Sequence, residues 1–113
     1  MSPVLVEPVL LSRQSRYVIG REEQSELRIK STSVSRRHAE IHWAGEGFVL
    51  FDLGSTNGTH LNGWRIKLPC YLHNGDVIGV GTYEITVYVS APGELPDEFG
   101  GATRPIRRRR PAS

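Results

Sequence analysis

Asp52-Leu53-Gly54-Ser55-Thr56-Asn57-Gly58-Thr59, continued by Leu61-Asn62-Gly63 and Leu72-His73-Asn74-Gly75-Asp76, is the stretch that decides the fold. It carries three Asn-Gly pairs, at 57–58, 62–63 and 74–75, within 19 residues. A type I′ hairpin turn needs positive φ at both central residues, and Asn followed by Gly is the pair that tolerates it best. The spacing predicts tightly folded antiparallel strands, with 62–63 and 74–75 most simply hairpin turns.

Working outward, the flanking runs read as short strands. Val77-Ile78-Gly79-Val80 is apolar, and Tyr83-Glu84-Ile85-Thr86-Val87-Tyr88-Val89 alternates with period two. On the other side, Phe48-Val49-Leu50-Phe51-Asp52-Leu53 fits a strand buried on both faces, and Ala39, Ile41 and Trp43 alternate with Glu40 and His42. Leu27 and Ile29 alternate with Arg28 and Lys30, and Tyr17-Val18-Ile19 leads into Gly20. The segment from Ser33 to Trp43 has a composition compatible with a short helix, but its neighbours favour a loop followed by a strand. Residues from about Val4 to Val89 therefore form one all-β body, a sandwich or a barrel. Trp43, Phe48, Phe51 and Tyr83 are its aromatic core candidates.

Composition narrows the function classes. At 113 residues the chain makes one domain, taken as residues 1–90. No apolar run approaches the roughly 20 residues that cross a bilayer. The N-terminus lacks the basic and apolar regions of a secretory signal, and Cys70 is the single cysteine, which points to a reducing, cytoplasmic location. Residues 1–90 carry nine Lys/Arg and nine Asp/Glu, whereas residues 91–113 carry five Arg and three acids. The neutral body argues against a nucleic-acid-binding domain, which needs a basic face. Pro and Gly break up the last segment, which reads as a flexible tail ending in Arg107-Arg108-Arg109-Arg110.

Four blocks carry the chemistry: Gly20-Arg21, Ser35-Arg36-Arg37-His38, the Asp52–Thr59 stretch with Leu61-Asn62-Gly63, and Leu72–Ile78 closing at Gly81. The first three are rich in anion donors. Arg21 offers a planar guanidinium suited to bidentate bonding to phosphate. Ser35 and Thr56 offer hydroxyls, the amides around Gly54–Gly58 are unencumbered, and Asn57 both donates and accepts, as gripping a peptide backbone requires. Together they describe an anion pocket on loops at one end of a β-scaffold.

In this order and spacing the blocks resemble the forkhead-associated (FHA) domain family, over about residues 4–89. The resemblance implies a β-sandwich of two mostly antiparallel twisted sheets with about eleven short strands, whose apical loops bind phosphothreonine peptides. By position, Arg21 and Ser35 match the residues that bond the phosphate. Arg36 falls where the family has a further polar contact, and Thr56 matches a loop residue that helps hold the phosphate. Asn57 matches the asparagine that bonds the peptide main chain. Gly20, His38 and Gly58 match loop-shaping residues, and Ser33 lies near the positions that read the third residue after the phosphothreonine. The implied role is a non-enzymatic adaptor in Ser/Thr kinase signalling, without cofactor or metal. Its partner would be a phosphothreonine-containing protein, such as a Ser/Thr kinase or its substrate.

Other readings are weaker. Ser35, His38 and Asp52 or Asp76 supply the residue types of a hydrolase triad, but no Gly-x-Ser-x-Gly elbow is present. His38-Ala39-Glu40-Ile41-His42 departs from the His-Glu-x-x-His pattern, and on a strand its imidazoles would stand roughly 13 Å apart, too far to share a metal. The rival from another class is a phospho-independent scaffold that binds through a sheet face or the basic tail. For the tail, three readings stay open: a solvated end, a weak contact with anionic membrane or nucleic acid, or a regulatory segment phosphorylated at Thr103 or Ser113.

Overall fold

The computed structural model describes residues 3–89. They form ten strands: β1 Val4–Leu11, β2 Tyr17–Gly20, β3 Leu27–Arg28, β4 Ala39–Trp43, β5 Phe48–Asp52, β6 Thr59–Leu61, β7 Trp64–Arg65, β8 Cys70–Tyr71, β9 Val77–Val80 and β10 Tyr83–Val89. No helix occurs among the described residues, and none is long and apolar enough to cross a membrane. Two five-stranded sheets run in the orders β1-β10-β9-β6-β7 and β3-β2-β4-β5-β8. The pairs β1/β10 and β2/β3 are parallel, and every other pairing is antiparallel. The fold is the expected all-β sandwich, with ten strands here where about eleven were expected. The tail expected at residues 91–113 lies outside the described residues.

The period-two runs supply the core. Ile19 of β2, Ala39 and Ile41 of β4, Phe48 and Leu50 of β5, Ile78 and Val80 of β9, and Ile85 and Val87 of β10 are all fully buried between the sheets. Each such aliphatic or aromatic side chain contributes about 1.5–3 kcal/mol by leaving water. Val49 is also buried, because His42 and Tyr71 flank it in register on the outer face. The run from Phe48 is thus covered on both faces for its first three residues. Of the aromatic candidates, Phe48 is in the core, while Trp43 and Tyr83 pack against it partly buried. Phe51 instead lies half-buried with its ring 4.8 Å from that of His42.

The loops correct one turn expectation. Asn62-Gly63 is a true two-residue hairpin, with φ of 52° and 90°, joining β6 to β7 in register Leu61↔Trp64. Asn74-Gly75 is not a hairpin turn, because β8 and β9 belong to different sheets. There only Gly75 has positive φ, and the turn closes through the Asp76 N–H on the His73 carbonyl. The Asn74 side chain instead accepts the Val89 N–H at 2.8 Å, tying this crossover to β10. Asn57-Gly58 likewise crosses between sheets, from β5 to β6. The ambiguous segment from Ser33 resolves as a loop followed by β4.

Candidate functional site

Gly20 ends β2 where the chain passes beneath the loop that precedes β4. A Cβ at Gly20 would overlap the carbonyl of Arg36, so only glycine allows the two segments to touch. That contact fixes Arg21. Its N–H is shared between the carbonyls of Ser35 and Arg36, each at 3.1 Å, and its Nε–H donates to the Val34 carbonyl at 3.0 Å. The half-buried guanidinium is therefore aimed before any ligand arrives, with its terminal nitrogens left for an acceptor.

Ser35 is held by three bonds. Its N–H donates to His38 Nδ1 at 3.0 Å, its carbonyl accepts from Arg21, and its hydroxyl oxygen accepts the Thr56 N–H at 3.0 Å. Because the oxygen already accepts, the hydroxyl hydrogen is the group left to donate. His38 is fully buried and joins the two loops. With Nδ1 accepting from Ser35, the ring proton sits on Nε2 and donates to the Gly58 carbonyl at 2.8 Å. The His38 backbone is also used, its N–H on Ile19 and its carbonyl on the Leu53 N–H.

The second loop, from Leu53 to Gly58, is organised by Asp52. One carboxylate oxygen accepts the N–H groups of Gly54 and Ser55, and the other accepts the hydroxyls of Ser55 and Thr59, both at 2.6 Å. Burial pushes this carboxyl upward, but the hydrogen bonds from Ser55, Thr59 and Gly54 outweigh it and hold Asp52 below its ordinary range. Gly58 takes φ of 84° and is packed against the Arg65 side chain, two reasons for glycine there. Asn57 Nδ2 then donates to the Ser33 carbonyl at 2.9 Å, closing one loop onto the other.

The outcome is a cleft of about 390 Å³ lined by Arg21, Ser35, Arg36, Thr56 and Asn57 together. All five residues singled out in the sequence as ligand contacts border this one space. Ser33 borders it as well, though its hydroxyl is turned onto that of Ser31 at 2.9 Å. Thr32, Val34 and Arg37 complete the lining and were not singled out. The organising part of Asp52 was also missed, although Asp two residues before Gly and three before Ser is the spacing of a side-chain-capped turn. Three guanidiniums face the cleft, and no carboxylate lines it or pairs with them among the described residues. Such a surface suits a small multivalent anion that can accept from several planar forks at once.

Comparison with known proteins gives this arrangement a family. The family model described as FHA domain matches residues 17–81, more than half of the chain, and the chain belongs to that family. FhaA of Mycobacterium tuberculosis, an FHA domain-containing protein, is 44% identical over 75 residues, covering 66% of this chain and 14% of FhaA. A structure from work on phosphothreonine-dependent FHA domain interactions is 43% identical, with a TM-score of 0.57, over 61% of this chain and 71% of that one. EmbR of Mycobacterium tuberculosis, solved with a low-affinity phosphopeptide, is 33% identical, with a TM-score of 0.62, over 67% of this chain and 21% of that one. The chain thus spans only a small part of the curated FhaA and EmbR proteins it matches.

Proposed function

We propose that this domain binds phosphothreonine-containing segments of proteins in Ser/Thr kinase signalling, as a non-enzymatic adaptor. In this reading Arg21 and the Ser35 hydroxyl bond the phosphate, Arg36 and Thr56 add polar contacts to it, and Asn57 holds the peptide main chain. Gly20, His38 and Gly58 shape the loops without touching ligand. The observation that carries the reading is the convergence of Arg21, Ser35 and Asn57 on one cleft without carboxylates, each already bonded to a neighbouring loop. A phosphothreonine brings about −1.5 to −2 charge and three acceptor oxygens, which match these donors. An unphosphorylated threonine leaves them unpaired.

The partner is a phosphorylated protein such as a Ser/Thr kinase or one of its substrates. The single cysteine, Cys70, has no second cysteine in the sequence to pair with and suits a reducing, cytoplasmic location. Residues 1–90 constitute the binding domain and residues 91–113 a tail. The test is a phosphothreonine peptide library titrated against residues 1–113, with the unphosphorylated library as control. Selective retention of phosphothreonine peptides is the expected result, and equal retention of both libraries rejects the reading.

A further inference from the structure

A second groove, of about 410 Å³, lies between the end of β5 and the segment from Arg65 to Pro69. Its walls are Phe51, Ile66, Leu68 and Pro69, and its charged rim is Arg65 and Lys67. Asp52 also borders it, but both of its carboxylate oxygens are already committed to Gly54, Ser55 and Thr59. Among the described residues no carboxylate pairs with Arg65 or Lys67. Leu68 follows Lys67 in the chain and is 75% exposed, so the groove offers an open aliphatic side chain beside its two cations.

The groove neighbours the proposed phosphothreonine cleft without sharing a lining residue with it. Arg65 packs directly on Gly58, the residue next to Asn57, so a cation of this groove touches the loop whose Thr56 and Asn57 line the cleft. We propose that this groove is a second docking site, which takes an acidic and aliphatic segment of the same phosphorylated partner, beyond its phosphothreonine. The proposal rests on the phosphothreonine reading for its partner, while the groove's chemistry stands on its own residues. Aliphatic side chains of the partner would cover Leu68 and Phe51, and its carboxylates would meet Arg65 and Lys67. An extended linker of eight residues reaches roughly 26 Å, and Arg65 of this groove already touches Gly58, one residue from Asn57 of the cleft.

The experiment compares three peptides on residues 1–113. The first is a phosphothreonine heptapeptide. The second is the same heptapeptide carrying a twelve-residue extension of mixed Asp, Glu, Leu, Ile and Val, prepared on either end. The third is that extended peptide without phosphate. Wild-type protein should bind the second about tenfold more tightly than the first. Lys67→Glu and Leu68→Asp, both at exposed positions, should erase that gain and leave heptapeptide affinity unchanged. Amide shifts of the 15N-labelled protein with the third peptide should move at residues 65–68 and not at Arg21 or Ser35. Equal affinity for the first two peptides overturns the proposal, as does a gain that survives both substitutions. Failure of the heptapeptide to bind counts against the phosphothreonine reading alone, because the third peptide still reports on the groove: shifts at residues 65–68 support the second site, and their absence rejects it.

Discussion

Arg21 enters the cleft with its backbone N–H and its Nε–H already bonded to the loop opposite. Little rotamer freedom remains to be lost on binding, and in the proposed role the terminal nitrogens would meet the anion as a fixed fork. Losing a charge-assisted hydrogen bond costs about 1.5–3 kcal/mol, so Arg21→Ala and Ser35→Ala should each weaken phosphopeptide binding by at least about tenfold in calorimetric titration. Circular dichroism should show both variants folded. Arg21→Lys keeps the charge but not the fork and should fall in between. His38 differs in kind, being out of reach of ligand. His38→Ala strands the Ser35 N–H and the Gly58 carbonyl, and should cost about 3 kcal/mol in denaturant unfolding while also lowering peptide affinity. A variant that lost stability yet kept full affinity would show that the two loops do not depend on that bridge.

Between β5 and β6 the decisive element is a loop closed by one carboxylate. Asp52 is held below its ordinary value of 3.8, so the folded state favours the ionised form. Its contribution to stability is complete above that value and disappears as pH falls through the lower folded value. Wild-type protein should therefore lose melting temperature on acidification below about pH 4 by more than Asp52→Asn does. Equal losses would mean that the carboxylate does not organise the loop. The β6–β7 hairpin gives a second check. Asn62 sits at φ of 52° with its side chain bonded to Asp76 and to the Val77 N–H. Gly63→Ala, at φ of 90°, should cost about 1 kcal/mol in thermal unfolding and leave phosphopeptide affinity unchanged.

At the level of the whole molecule, β1 lies outside the segment matched by the family model, yet it completes the sandwich. It pairs in parallel with β10, and its register shifts between Val6 and Val9, the gap that holds Pro8. Proline lacks the N–H that a regular ladder requires, and a bulge on an edge strand accommodates it. Leu11 at the end of β1 is fully buried, so Leu11→Ala should cost about 2–5 kcal/mol, read by urea denaturation. If residues 1–90 are the binding domain, a chain ending at residue 90 should match residues 1–113 in melting temperature and phosphopeptide affinity. A large fall in either would make residues 91–113 part of the working unit.

Legibility varied with the range of the interactions involved. The strands with period-two alternation, β4 and β10, and the apolar β5 could be read because each side chain's fate follows from its own run. The strands β7 and β8 have two residues each and carry no period at all. β1 has Pro8 in its middle, which reads against a strand until the bulge is seen. The Asn74-Gly75 pair looked like a hairpin because Asn-Gly reports a local φ preference and says nothing of which sheet the next strand joins. Local chemistry in the chain thus determined that this is an all-β body of short strands, the family resemblance made it a sandwich, and the sequence also named the donors available for an anion: a guanidinium at 21, hydroxyls at 35 and 56, an amide at 57. Only the tertiary structure decided that those donors face one cleft, that Asp52 and His38 hold the loops there, and that Leu68 is left in the open beside a groove it lines with Arg65 and Lys67. Convergence is a property of loops far apart in sequence, set by Gly20 meeting Arg36 and by His38 reaching Gly58, and no local pattern encodes a contact of that range.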